Sequence, residues 1–197
     1  IPSFKLEKNV VAAEIDVLKE MGVEIKCGVE VGKDVTIASL REQGYEAFYI
    51  SIGCQGSRAL NIPGEDAEGV MSAVELLHTT TENESYAING RSVVIGGGNV
   101  AIDVARTNTR CGASEVSMFC LESRDEMPAA DEEVAEALEV GVNLQCGWGP
   151  KEILTENGKV TGVVFKKCLS VKDYDGRFNP TFDEDDTITV PCENVYL

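Results

Sequence analysis

The chain has 197 residues, 43% hydrophobic and 26% charged, which is enough for one large or two small domains with buried cores and excludes a disordered chain. Its 17 basic residues face 34 acidic ones, and a net charge of −17 repels polyphosphate backbones, which excludes nucleic-acid binding. Seven cysteines at positions 27, 54, 111, 120, 146, 168 and 192 make no C-x-x-C pair, so a local redox dithiol, a zinc ribbon and a secreted disulfide framework are set aside.

The expectation is buried thiols in a reducing cytoplasm. The apolar runs are strand-sized and the N-terminus lacks the build of a signal peptide, so no membrane is expected. Ile1 is not an initiator residue, and Val195-Tyr196-Leu197 reads as the start of a strand. Both observations suggest a fragment of a longer protein.

From the N-terminus, Asn9 to Glu20 spaces Val10, Val11, Ile15, Val17 and Leu18 as an amphipathic helix does, and Gly22 is its stop. Val23 to Cys27 alternates as a strand. A short helix over Ile37 to Glu42 and a buried strand over Ala47 to Ile52, ending at Gly53, follow. Pro63-Gly64 then breaks the pattern, and the polar stretch Thr79 to Asn89 marks a domain boundary. We therefore divide the chain into residues 1–84 and 85–197.

The second part opens on the apolar run Ser92-Val93-Val94-Ile95, continues through Gly96-Gly97-Gly98-Asn99-Val100-Ala101, and enters a helix through Ile102, Val104 and Ala105 to Cys111-Gly112. A strand at Val116 to Cys120, a helix at Asp131 to Val140 and a strand at Val142 to Cys146 complete a βαβαβ unit. That order predicts a parallel sheet with right-handed crossovers, a Rossmann-like α/β fold. Glu20 to Gly28 also reads against Glu139 to Gly147 without a gap, and Phe48-Tyr49-Ile50 has an echo in Val195-Tyr196-Leu197, as two related halves would give.

The glycine run carries the chemistry. Gly96 permits a tight turn off the strand, Gly98 lets the backbone approach a pyrophosphate, and Ala101 keeps the helix close to the sheet. The amides of residues 98–101, Gly97 included in the same turn, then face an anion at a positive helix end. No G-K-[ST] follows, which argues against a triphosphate site. Glu122 ends the second strand about 20 residues past Ala101, where a carboxylate meets the adenosine ribose. It repels a 2′-phosphate, so this reading prefers NADH to NADPH. His78, the single histidine, is read as a capping or surface residue, and Asp183 to Asp186 as a solvated turn between antiparallel strands, lacking the glycine and distal glutamate of a calcium loop. No metal site is expected, and hydride transfer between stacked cofactors needs no protein acid or base, so no catalytic residue is named.

Three stretches, Ile1 to Leu6, Val93 to Arg106 and Ser123 to Ala129, resemble the small (beta) subunit of glutamate synthase and related FAD/NAD(P)-dependent oxidoreductases. The resemblance implies a nicotinamide domain inserted into an FAD domain. Electrons pass there from NAD(P)H to FAD and through iron-sulfur clusters to a large subunit or another accepting protein. It also implies that residues 1–84 are part of the FAD domain with Gly53 on the flavin side, that residues 85–197 are a nicotinamide domain truncated at its last strand, and that Ser123 and Arg124 touch coenzyme. The FAD fingerprint and cluster cysteines are not in this sequence, so the isolated chain is expected to hold neither group and to be inactive. Many members resemble Tyr-Arg-Arg where this chain has Cys120-Leu121-Glu122, a departure that puts NADPH in doubt. A non-catalytic dinucleotide-sensing or assembly module stays open as an alternative.

Overall fold

The computed structural model describes all residues except Gln55, Arg58 and Glu84. It divides into two compact units, Ile1 with Ser3–Gln55 and Pro2 with Gly56–Leu197.

The first unit holds two helices, α1 (Lys8–Glu20) and α2 (Ile37–Glu42). Thr36 and Ser39 form a capping box at the start of α2. The strands expected over 23–27 and 47–52 are not formed, and the second stretch is not buried: Tyr49 is 93% and Ile52 82% exposed. Apolar patterning states which faces a strand would have, but a ladder needs a partner's amides and carbonyls. Among the described residues of this unit no strand supplies them. The internal repeat survives at one place, the helix stop. Gly22 donates to Lys19 O and Val23 to Leu18 O, and Gly141 donates to Leu138 O and Val142 to Ala137 O, with φ of 91° and 89° at the two glycines. Both are paired-bond stops that require a left-handed residue, hence glycine. Only the second copy runs on into a strand.

The second unit is built on a five-stranded parallel sheet of order β1-β8-β2-β3-β4, with β1 Val70–Met71, β2 Arg91–Ile95, β3 Glu115–Cys120, β4 Asn143–Cys146 and β8 Asn194–Tyr196. Alternate residues of these strands point to opposite faces. On one face Val94, Met118 and Tyr196 pack against α3 (Ala73–Glu82), α4 (Asn99–Arg110) and α5 (Asp131–Glu139). On the other, Val93, Phe119 and Val195 pack against a three-stranded antiparallel sheet. Its strands are β5 Trp148–Glu156, β6 Lys159–Lys172 and β7 Phe178–Pro191, in the order β5-β6-β7. Coverage of both faces explains why β2 and β3 read as continuous apolar runs rather than alternating ones.

Phe119 and Phe165 stack across the second interface with centroids 4.0 Å apart and planes 14° from parallel. Arg106 of α4, 7% exposed, reaches Glu133 and Glu136 of α5 and ties the two helices together. Asp183 to Asp186 do not form a turn between strands. They bulge within β7, where pairing jumps from Thr187 opposite Lys166 to Asp183 opposite Lys167, and Asp183 Oδ1 accepts the amides of Asp185 and Asp186. A side chain that satisfies the amides of its own bulge lets the strand continue past a charged run.

The packing division falls ahead of residue 56, earlier than the polar stretch 79–89, because β1 and α3 join the parallel sheet and its helical layer. The thiols are free, and only Cys120, Cys168 and Cys192 are buried; Cys27 and Cys54 are exposed, contrary to the expectation of buried thiols throughout. His78 lies on the exposed side of α3 with Nδ1 3.4 Å from Glu82 Oε2. No helix among the described residues is long and apolar enough to cross a membrane, and none of their His, Cys, Asp and Glu clusters could hold a metal ion.

Candidate functional site

The glycine run lies at the carboxyl ends of the parallel strands. The Gly96 amide donates to Phe119 O at 2.8 Å, continuing the β2–β3 ladder one residue past the strand. Gly96 then turns with φ of 146°, and a Cβ there would stand 3.2 Å from Ala101 Cβ. The close approach of α4 to the sheet is therefore the joint work of a glycine and an alanine.

Gly98 is the N-cap of α4, and no side chain caps that end. The first intrahelical bond runs from Ile102 N to Gly98 O at 3.2 Å, which leaves the Asn99, Val100 and Ala101 amides without an intrahelical acceptor at the positive end of the helix. The space above Gly98 is open, with nothing within 4 Å of where a Cβ would stand. A cleft of about 240 Å³ lies against the turn, lined by Gly96, Gly98, Val100 and Ala101 with Tyr196 and Leu197 of the neighbouring strand end. These are the features of a backbone cradle for a phosphate-sized anion.

Glu122 reaches back to the same turn. A Cβ on Gly97 would stand 2.8 Å from Glu122 Oε2, so the glycine at 97 makes room for the carboxylate. The Glu122 carbonyl is held from two sides, by the Gly147 amide at 2.9 Å and the Cys120 thiol at 3.6 Å. The Leu121 side chain stands beside Gly149 of the antiparallel sheet and lines a cleft together with Ser123 and Arg124.

Ser123 and Arg124 open a 3-10 turn, Arg124–Glu126. The Ser123 hydroxyl donates to Glu126 Oε2 at 2.7 Å and holds that carboxyl below the usual range. Arg124 pairs with Asp131 at 2.9 Å. Both residues line a cleft of about 340 Å³ whose far wall carries Lys167 of β6, its ammonium 4.7 Å from the centre of the Trp148 ring. Lys167 was missed by sequence reasoning, because nothing near it in the chain points to a site; only the β5–β6 pairing brings it there.

The Asn99 side chain is bonded within the protein, while the part expected of it at the coenzyme rests on its main-chain amide. Its Oδ1 accepts the Ala130 amide at 2.9 Å, and Gly97 O accepts the Ala129 amide at 3.1 Å, so the Met127-Pro128-Ala129 stretch is fastened to the turn. Gly53 has a φ of 68° and belongs to the first unit. A cleft of about 450 Å³ in the second unit is lined by Asn61, Glu65, Met71 and Ser72 among others and shares Leu197 with the cleft at the glycine turn.

A parallel sheet carrying a glycine turn, an uncapped helix start and an acidic residue at the next strand end defines a dinucleotide-binding domain of the Rossmann type. Residues 6–177 match the family model described as pyridine nucleotide-disulphide oxidoreductase. The chain belongs to that family. It is 34% identical over 100% of its length to the glutamate synthase [NADPH] small chain of Halomonas elongata, and spans 44% of that protein. It is 34% identical over 99% of its length to the NADP(+)-dependent formate dehydrogenase subunit beta of Moorella thermoacetica, and spans 28% of it. Among solved structures, the Mycobacterium tuberculosis FprA in complex with NADPH matches with a TM-score of 0.71 at 23% identity, over 85% of this chain and 52% of that one. An FprA variant matches with a TM-score of 0.79 at 20% identity, over 100% of this chain and 59% of that one, which agrees with the fold.

Proposed function

We propose that residues 96–101 hold the pyrophosphate of a nicotinamide adenine dinucleotide and that the whole protein is an NAD(P)H-dependent flavoprotein oxidoreductase. The observation that carries this is the open space over Gly98 at an uncapped helix start, in a family that handles pyridine nucleotides. The turn lies between two further clefts, one toward Ser123 and Arg124 and one toward Asn61 and Ser72, which gives room for the two ends of a dinucleotide. Reduced nicotinamide held at this turn would supply a hydride to a flavin. The protein's share is to bind and orient, through amides at 98–101 and the carboxylate of Glu122. Residues 85–197, with β1 and α3 packed onto their sheet, serve as the nicotinamide domain and the segment before β1 as a linker and part of an FAD domain, and a large subunit or other electron acceptor is the partner, as the names of the Halomonas and Moorella relatives suggest.

For the coenzyme we favour NADH, because Glu122 stands against Gly97, where a carboxylate accepts ribose hydroxyls and repels a 2′-phosphate. NADPH is the second reading. The relatives named above use NADP(H) by name, and Arg124 and Lys167 share the adjoining cleft. Hydrogen bonds to a charged group contribute roughly 1.5–3 kcal/mol, so Glu122→Ala is expected to weaken NADH roughly tenfold to a hundredfold and NADPH much less. Leu121→Arg with Glu122→Arg is expected to reverse the preference, two guanidinium groups gripping the phosphate. Calorimetric titration with both coenzymes at one salt concentration decides it. Tighter NADPH binding by the wild type would remove Glu122 from the role of selector.

The purified chain is expected to be colourless, since no described residue outside the first unit's Gly53 is assigned to the flavin. A visible spectrum after affinity purification checks this, and stoichiometric FAD in the preparation contradicts the proposed division into a partial FAD segment and a nicotinamide domain.

A further inference from the structure

Three sulfur side chains meet beside Glu122. Cys120, the last residue of β3, is the register partner of Cys146, the last residue of β4. Paired residues of neighbouring strands point to the same face, so the two thiols are neighbours on one side of the sheet. Cys146 Sγ also lies 3.8 Å from Met127 Sδ. Neighbouring strands run about 4.8 Å apart, inside the roughly 4.4–6.8 Å Cα separation that a disulfide accepts.

The two cysteines differ in access. Cys120 is 2% exposed, and burial pushes its thiol up to about 12, which keeps it protonated. Cys146 is half-buried and lines the 340 Å³ cleft, open to small solutes. The pair is also joined to the candidate site. The Glu122 carbonyl accepts from the Cys120 thiol and from the amide of Gly147, the residue after Cys146.

We propose that Cys120 and Cys146 are a peroxide-sensitive dithiol whose closure to a disulfide loosens Glu122 and so weakens coenzyme binding. The weakening rests on the function proposed above; the disulfide does not. Cys146 attacks hydrogen peroxide, its sulfur gaining oxygen as the O–O bond breaks, and water leaves. The Cys120 sulfur then displaces the hydroxyl of the Cys146 sulfenic acid, and the departing hydroxide takes the Cys120 proton as a second water. Two thiols lose two electrons and one peroxide becomes two waters. The disulfide removes the sulfur–hydrogen donor to the Glu122 carbonyl and draws Cys146, and with it Gly147, toward β3.

The test uses the full chain with Cys27→Ser and Cys54→Ser, which removes the exposed thiols. After hydrogen peroxide, peptide mapping without reductant is expected to give a linked pair containing Cys120 and Cys146, released by dithiothreitol. Cys120→Ser is expected to leave Cys146 as a sulfenic acid captured by dimedone. The dissociation constant for NADH should rise about tenfold on oxidation, the loss of roughly one hydrogen bond's hold, and return on reduction. Peroxide should leave the constant of Cys146→Ser where it was. Free Cys120 and Cys146 after peroxide overturn the proposal, and a disulfide without change in affinity overturns its link to Glu122. Reduced protein that binds neither coenzyme counts against the function proposed above, and the peptide map still decides the dithiol.

Discussion

Gly98→Val abolishes coenzyme binding and leaves the protein folded: this is the expected result of placing a branched side chain over the start of α4. Nothing stands within 4 Å of the new Cβ, so the substitution meets no protein atom there. Gly98 has φ of −95° and ψ of 173°, an extended conformation that valine adopts without strain. What the side chain does occupy is the space through which a pyrophosphate reaches the Asn99, Val100 and Ala101 amides. Affinity is expected to fall by about a hundredfold or more, on the order of 3 kcal/mol, while the protein stays folded and its melting temperature drops by no more than about 4 °C, since valine caps a helix less well than glycine. Calorimetry and thermal melting on both forms read the two effects separately. Unchanged affinity would place the coenzyme away from this turn.

The second large effect is on stability. Phe165 is fully buried, stacks on Phe119, and belongs to the cluster that joins the antiparallel sheet to the back of the parallel one. Phe165→Ala is expected to cost about 3–5 kcal/mol, a large fraction of the roughly 5–15 kcal/mol that holds a domain folded. The site should feel it as well, because Phe119 O receives the Gly96 amide that sets the turn. Urea unfolding measures the loss, and a change under about 1 kcal/mol would mean that the two sheets are held together by something other than this ring pair.

How much of this was legible in the sequence depends on whether the information is local. The run from Arg91 to Cys146 was readable nearly to the residue, because strand, turn, helix and strand follow one another and each carries its own signal: apolar strands, Gly96 and Gly98 at the turn, Gly112 and Gly141 at helix stops. The antiparallel sheet of residues 148–191 was not foreseen as a layer. Its long strands carry charged residues and bulges, and their pairing is set by contacts between residues far apart in the chain. For the same reason Lys167 stayed invisible while Glu122, at a fixed distance from the glycines, did not. The strands expected at 23–27 and 47–52 show the converse: a pattern compatible with a strand forms none where no described partner completes its ladder. At the site, Glu122 against Gly97 could be anticipated from spacing, whereas the tether from Asn99 to Ala130 could not, since asparagine at a helix start reads equally as a ligand to coenzyme.

The central claim is that a nicotinamide dinucleotide binds at the Gly96–Ala101 turn, and amide chemical-shift mapping of the isotopically labelled chain tests it most directly. Titration with NADH is predicted to move the amides of residues 96–101 and of Glu122 most, saturating together with one dissociation constant, with smaller shifts along the clefts at Ser123 and Ser72. Shifts confined to residues away from the turn, or none at millimolar coenzyme, would contradict it.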